Sequence, residues 1–175
     1  EQEIHFLMQL QQLPVPRVLS EGIIEKTPYY VMSYANGYTF EQAIFAHDKV
    51  FTIDETLYYT KKLLKIIQKM HDAQIVHRDL RIPNILLKDD ELTIIDFGLA
   101  SKIEHTEMPV HIKEPKKIAH PISDLYATGH FMLFFLYSTF QPATKKGTTW
   151  QQELALPTDL QHFIERLLTI NSPFP

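Results

Sequence analysis

No cysteine occurs among the 175 residues, which excludes a disulfide framework, a cysteine-ligated zinc site and a thiol nucleophile. A basic surplus is missing as well. The formal charge of -4 argues against a general nucleic-acid binder, while leaving open phosphate chemistry, where local charge decides. Long apolar runs are also absent: the most apolar stretch, Phe131 to Phe140, is too short to cross a bilayer and reads as a buried helix. No membrane segment is therefore expected. No basic segment leads into an apolar stretch at Glu1, and with the lack of cysteine this gives a cytoplasmic location as the expectation. What the chain does have is 45% apolar residues, enough for a real core. Its length suits one domain, or a small lobe joined to a larger one.

Periodicity divides the chain. Ile4, Leu7, Met8 and Leu10 form a helical stripe from Glu3 to Gln11, ended by Pro14 and Pro16. Two strands are expected at residues 17–24 and 29–34, joined by the turn Glu25-Lys26-Thr27-Pro28, with Asn36-Gly37 as the next break. A helix follows over 39–46. Thr52 and Glu55 have capping-box spacing and open a long helix to His71, its apolar face carrying Leu57, Leu63, Leu64, Ile66, Ile67 and Met70. A loop over 77–83 leads to a hairpin, Asn84 to Leu87 and Leu92 to Ile95, turning at Asp89-Asp90. Residues 99–121 lack periodicity and read as a surface loop. Asp124 to Ser138 is an apolar helix buried nearly all round, and Thr158 is the expected cap of a last amphipathic helix.

The hairpin poses a chemical question. It brings Asn84 and Asp96 to one end, with Asp79 five residues before Asn84. Two carboxylates about 4 Å apart repel by roughly 4 kcal/mol at an effective dielectric near 20, a cost avoided when they share a cation. Oxygen donors in small number suit Mg²⁺, whose octahedron is completed by waters and phosphate oxygens. Asp79 lies between Arg78 and Arg81. Flanking guanidiniums favour an ionised carboxylate, able to accept a hydrogen bond from a hydroxyl, and Arg81 has the reach to meet a phosphate. Together these groups describe phosphoryl transfer by positioning and electrostatics. Singly, each is better read as an ordinary turn or cap residue.

"HRDLRIPN" followed by "IDFGLA" resembles the catalytic and metal-binding loops of the eukaryotic-like (Hanks-type) protein kinases. "EIHFLMQL" is similar to helix C, "YYVMSYANGYTF" to strand five and the hinge, and "SDLYATGHFMLFFLYS" to helix F. The order agrees along almost the whole chain, and short bacterial Ser/Thr kinases look closest. The resemblance implies an α+β fold with a truncated small lobe over residues 1–35 (helix C, strands four and five, and a hinge at 33–37) and a mainly helical large lobe over 36–175. It implies ATP and Mg²⁺ as cofactors, and a nucleotide and a protein substrate as partners. Asp79 would orient the acceptor hydroxyl and take its proton, Arg81 would meet the γ-phosphate, and Asn84 and Asp96 would hold Mg²⁺. Met32 would be the gatekeeper. Backbone groups of Ser33 and Ala35 would face the adenine edge, Leu86 would lie beneath the ring, and Glu3 would supply the ion-pairing glutamate of helix C. Val18, Leu7, His77 and Phe97 would form the regulatory spine, and Asp124 would hold the backbone of the catalytic loop.

The pattern also breaks. No glycine-rich loop and no strand-three lysine precede Glu3, so a missing N-terminal portion is expected. No Ala-Pro-Glu stands between Gly98 and Asp124, and "SPFP" stands where an answering arginine belongs. That leaves the peptide-docking segment short. Two other functions stay in view: a small-molecule kinase of the aminoglycoside or choline type, and a pseudokinase that only binds partners. His105, His111 and His120 lack the spacing of a zinc site. Ser101 and Thr106 read first as unmodified loop residues, although Arg78 would answer a phosphate on either. The run "KEPKK" at 113–117 reads as a solvated face that has the charge to steer an acidic substrate.

Overall fold

The structure, a computed structural model, describes residues 2–47, 49–104, 114–139 and 148–170. Helix α1 (Gln2–Gln9) turns Ile4, Phe6 and Leu7 inward. Met8, expected on that stripe, is 55% exposed, because Phe6 takes the inner face instead. Strand β1 (Val18–Ile24) pairs antiparallel with β2 (Thr27–Met32). Their turn is tighter than expected. Glu25 and Lys26 alone form it, with φ of 49° and 70°, the positive values a two-residue hairpin loop requires. Pro28 therefore lies within β2, opposite Ile23, on a strand whose outer edge tolerates a missing N–H.

Strand β3 (Tyr38–Thr39) runs directly into α2 (Phe40–His47). Helix α3 (Ile53–Asp72) begins with the anticipated capping box: Thr52 Oγ1 accepts from the Glu55 N–H, and the Glu55 side chain accepts from the Thr52 N–H. Its inner face differs from the expected one. Leu57 is 42% exposed, whereas Thr56, Tyr59, Thr60, Leu63, Ile67 and Met70 are buried. Thr56 can sit inside because its hydroxyl donates back to the Thr52 carbonyl, 2.8 Å away.

Strand β4 (Ile75–Val76) precedes the hairpin of β5 (Ile85–Lys88) and β6 (Glu91–Ile94), in register Ile85 opposite Ile94. Asp89 and Asp90 turn it with positive φ, as read from the sequence. β3 adds to β5, giving the order β3-β5-β6. The stretch expected to be an irregular loop contains β7 (Ser101–Lys102), which pairs with β4, and a 3-10 turn at Pro115–Lys117. His105, Thr106, His111 and Lys113 lie outside the described residues, as does the terminal "SPFP".

Helix α4 (Ile122–Leu136) starts and stops two residues earlier than periodicity indicates, and the chain then tightens into a 3-10 turn. Helices α5 (Trp150–Glu153) and α6 (Thr158–Leu167) follow. Pro157, not Thr158, holds the cap position of α6, and no side chain caps it. Phe40, fully buried, is the hub of the core. Its ring meets Phe51, Tyr59, Phe131 and Phe135 edge-on at centroid distances of 5.8, 5.3, 5.4 and 4.7 Å. This aromatic cluster ties α2 and α3 to α4, which packs Met132 and Leu136 against α6 on its other side. The result is α+β, with small antiparallel sheets and a helical body. Among the described residues no helix is long and apolar enough to cross a membrane.

Candidate active site

Asp124 sits in the first turn of α4, fully buried. Its Oδ2 accepts from the His77 N–H at 3.0 Å and from His71 Nε2 at 2.9 Å, and its Oδ1 accepts from the Arg78 N–H at 2.9 Å. The carboxylate thus fixes the backbone where the chain leaves β4. Arg78 is held there at φ 65°, a left-handed conformation that a long side chain rarely adopts unless its surroundings impose it. The role expected of Asp124 from the sequence matches this geometry. His71, fifty-three positions away, carries no sequence signal as its third partner.

His77 lines the loop from beneath. Its Nδ1 accepts from the Asp79 N–H at 3.2 Å, so Nε2 carries the proton and donates to the Ile95 carbonyl at 3.1 Å. Burial pushes this imidazole below its ordinary range, against the opposing pull of Asp124, the Ile95 carbonyl, Asp79 and Asp96. The neutral ring is the form that both hydrogen bonds need. The unfolded chain takes up a proton near pH 6.5 that the folded ring resists, so this contribution to stability is complete above that pH. It is lost as pH falls toward the depressed folded value. We therefore expect a lower Tm at about pH 5.5 than at about pH 7.5, and a flatter dependence in His77→Phe, measured by thermal denaturation across that window.

Three of the sequence-derived residues meet directly. Asn84 Nδ2 donates to Asp79 Oδ2 at 3.0 Å and to the Asp79 carbonyl at 2.9 Å. Arg81 Nε pairs with Asp79 Oδ1 at 2.8 Å. Arg78 does not flank the carboxylate as expected. Its Nη2 donates instead to the Lys117 carbonyl at 2.5 Å, because the left-handed turn aims the side chain away from Asp79. Asp96 joins through the hairpin: the Ile95 N–H donates to the Asn84 carbonyl at 3.0 Å, placing Asp96 one residue beyond. Asp96 is exposed, with φ of 64° and Oδ1 accepting from the Gly98 N–H at 3.3 Å. Next to it Phe97 is buried, its ring centroid 4.6 Å from that of His77. Leu7 belongs to the same core and Val18 packs against it.

The remaining residues border this cluster. Glu3 Oε2 accepts from the Tyr30 hydroxyl at 2.8 Å. Burial, then Glu3, then the charge of Asp96 push the Tyr30 phenol up to about 12, so helix α1, β2 and Asp96 share one electrostatic neighbourhood. Tyr30 carries no sequence signal. Met32 ends β2 opposite Val18 and is half exposed. The Ser33 N–H donates to the Arg17 carbonyl at 2.8 Å, and Ser33 Oγ accepts from the Arg17 N–H at 2.9 Å. Ala35 follows in the connection to Gly37. There φ is 140°, and a Cβ would stand 2.9 Å from the Leu87 carbonyl. Only glycine lets the chain pass so close above β5, where Leu86 lies buried.

Beside Asp79 opens a groove of about 990 Å³, lined by residues 78–83, one face of α4 and residues 114–117.

A family model described as protein kinase domain matches residues 1–132. The probable serine/threonine-protein kinase YbdM of Bacillus subtilis (strain 168) is 36% identical over 174 residues, covering 99% of this chain and 66% of that protein. The serine/threonine-protein kinase atg1 of Dictyostelium discoideum is 36% identical over 109 residues, 58% of this chain and 16% of that protein. The RAC serine/threonine-protein kinase of Drosophila melanogaster is 34% identical over 74 residues, 42% of this chain and 12% of that protein. The chain thus spans just under two thirds of the bacillary relative and a small part of the other two. The match covers the loop, the hairpin and α1 together: this chain belongs to the protein kinase domain family.

Proposed function

We propose that the protein catalyses ATP- and Mg²⁺-dependent phosphoryl transfer to Ser or Thr hydroxyls of a protein substrate. The observation that carries this reading is the direct contact of Asp79 with both Asn84 and Arg81, with Asp96 held one residue beyond the hairpin ladder. The names of the relatives support Ser and Thr as the acceptors. Residues 1–35 would form the small lobe and 36–175 the large one, with the hinge at 33–37.

The donor set fits Mg²⁺. Asn84 spends its amide N–H₂ on Asp79, which leaves Oδ1 as a ligand, and Asp96 has a second carboxylate oxygen beyond the one that meets Gly98. Mg²⁺ takes one or two protein oxygens and completes its shell with water and phosphate. When bound, the ion neutralises charge on the phosphate oxygens.

The chain's own residues do the rest. Asp79 accepts the hydrogen bond of the acceptor hydroxyl and takes its proton as the oxygen–phosphorus bond forms and ADP departs. In the structure Arg81 covers Asp79 Oδ1, yet its side chain is 66% exposed, so the pair is cheap to open. A γ-phosphate draws the guanidinium across, frees the carboxylate for the acceptor, and gains a planar, forked donor. Asn84 keeps the other carboxylate oxygen oriented throughout. The Ser33 and Ala35 backbone meets the adenine edge between Met32 and Leu86, and Glu3 anchors helix α1.

The test is transfer of labelled phosphate from MgATP by the full natural chain to generic acceptor proteins, followed by phosphoamino-acid analysis. Phosphoserine or phosphothreonine is the expected product. Label passing to small alcohols and to no protein would move the assignment to small-molecule kinases.

A further inference from the structure

The groove beside Asp79 has one wall from α4: Ser123, Tyr126, Ala127, His130, Phe131 and Phe134 fall at intervals of three and four, a single helical face. Leu80 and Ile82 face it from the catalytic loop. That face runs for about 16 Å at 1.5 Å per residue, the length of about five residues of extended chain. Its volume of about 990 Å³ stands at the upper end for small-molecule pockets.

Charge then narrows the occupant. Among the described residues, four cations, Arg78, Arg81, Lys116 and Lys117, line the groove with two carboxylates, Asp79 and Glu114, a positive excess there on a chain whose net charge is -4. Arg81 is matched by Asp79, and Lys117 by Glu114 at 2.6 Å. Arg78 and Lys116 have no carboxylate partner among the described residues, and Arg78 Nε is buried with no hydrogen-bond acceptor. The charge of Lys116 bears on the groove, since after burial it is what holds the His130 imidazole below its ordinary range.

We propose that this groove holds the acceptor segment as an extended peptide and selects one with Asp or Glu within about three residues of the acceptor hydroxyl. Lys116 and Arg78 answer the acidic side chain, and apolar residues of the peptide lie against the aromatic face of α4. The proposal deepens the phosphoryl-transfer reading and rests on it for the direction of the groove. On this basis Lys116 steers an acidic partner into the site.

Two measurements on the full natural chain separate the failure of one idea from that of the other. The first compares kcat/KM for three peptides of equal length, a central Ser or Thr flanked by Glu, by Ala or by Lys. The second measures binding of the same fluorescent peptides by anisotropy, which needs no transfer. The Glu peptide is expected to exceed the Ala peptide about fivefold at low salt, the size of one or two partly exposed charge pairs, with the margin shrinking as salt is raised. In Lys116→Glu the order of the Glu and Lys peptides reverses. Acid-selective binding without any transfer would keep the groove assignment and overturn the kinase reading. Transfer with equal or Lys-favouring selectivity, unchanged by Lys116→Glu, would overturn the groove assignment and leave the kinase reading standing.

Discussion

Asp79→Asn is expected to slow phosphoryl transfer by about 10²- to 10⁴-fold while leaving nucleotide affinity near its wild-type value, because a positioned base is lost and the volume is kept. The amide cannot take the acceptor's proton. It also meets Asn84 Nδ2 and Arg81 Nε, both donors, with only one acceptor oxygen, so one of the two contacts breaks. The loss should fall on kcat in single-turnover measurements and spare the KM for ATP, since nothing at Asp79 touches the hinge. Stability should fall by about 1 kcal/mol, the worth of one lost hydrogen bond, at a side chain only 18% exposed whose Arg81 partner is open to water. Near-full activity in this variant would remove Asp79 from the reaction.

The second large effect is structural. Asp124→Ala removes the acceptor of three hydrogen bonds from a site with no solvent access. The N–H groups of His77 and Arg78 lose their partner, and His71 loses its own. Breaking a buried charged network from one side costs about 3–5 kcal/mol, most of it the penalty on the groups left behind. Arg78 would also be released from its left-handed backbone conformation, so the loop bearing Asp79 loosens along with the global loss. Asp124→Asn keeps one acceptor oxygen and should fall between wild type and Ala. Denaturant unfolding of the three proteins gives the order. Equal midpoints for Ala and wild type would show that the loop is held by something else.

Much of this arrangement is legible in the sequence wherever the cause is local. The β5–β6 hairpin follows from two apolar runs about Asp89-Asp90, and the start of α3 from Thr52 and Glu55. Asp79, Arg81 and Asn84 meet because the six residues from Asp79 to Asn84 are drawn together by Arg81 N–H to Asp79 carbonyl and Asn84 N–H to Arg81 carbonyl. Sequence and structure part where distant packing decides. Periodicity puts Leu57 in the core, but the aromatic hub around Phe40 sets which face of α3 turns inward and brings Tyr59 and Thr56 there instead. Adjacency in sequence assigns Arg78 to Asp79, whereas its backbone, pinned by Asp124, directs the side chain toward Lys117. The Tyr30–Glu3 and His71–Asp124 contacts join residues 27 and 53 positions apart, with no spacing rule to foretell them.

The proposed phosphoryl transfer would require Asn84 and Asp96 to act as a pair of oxygen ligands beside Asp79. Asp96 is exposed and its removal leaves the core untouched, so Asp96→Ala should still fold, at a small cost from the lost Gly98 contact and the φ of 64°. Calorimetric titration of the full natural chain with a non-hydrolysable ATP analogue, with and without Mg²⁺, tests the requirement most directly. We expect Mg²⁺ to tighten binding in the wild type and to have little effect in Asp96→Ala. The same gain from Mg²⁺ in both proteins would contradict it.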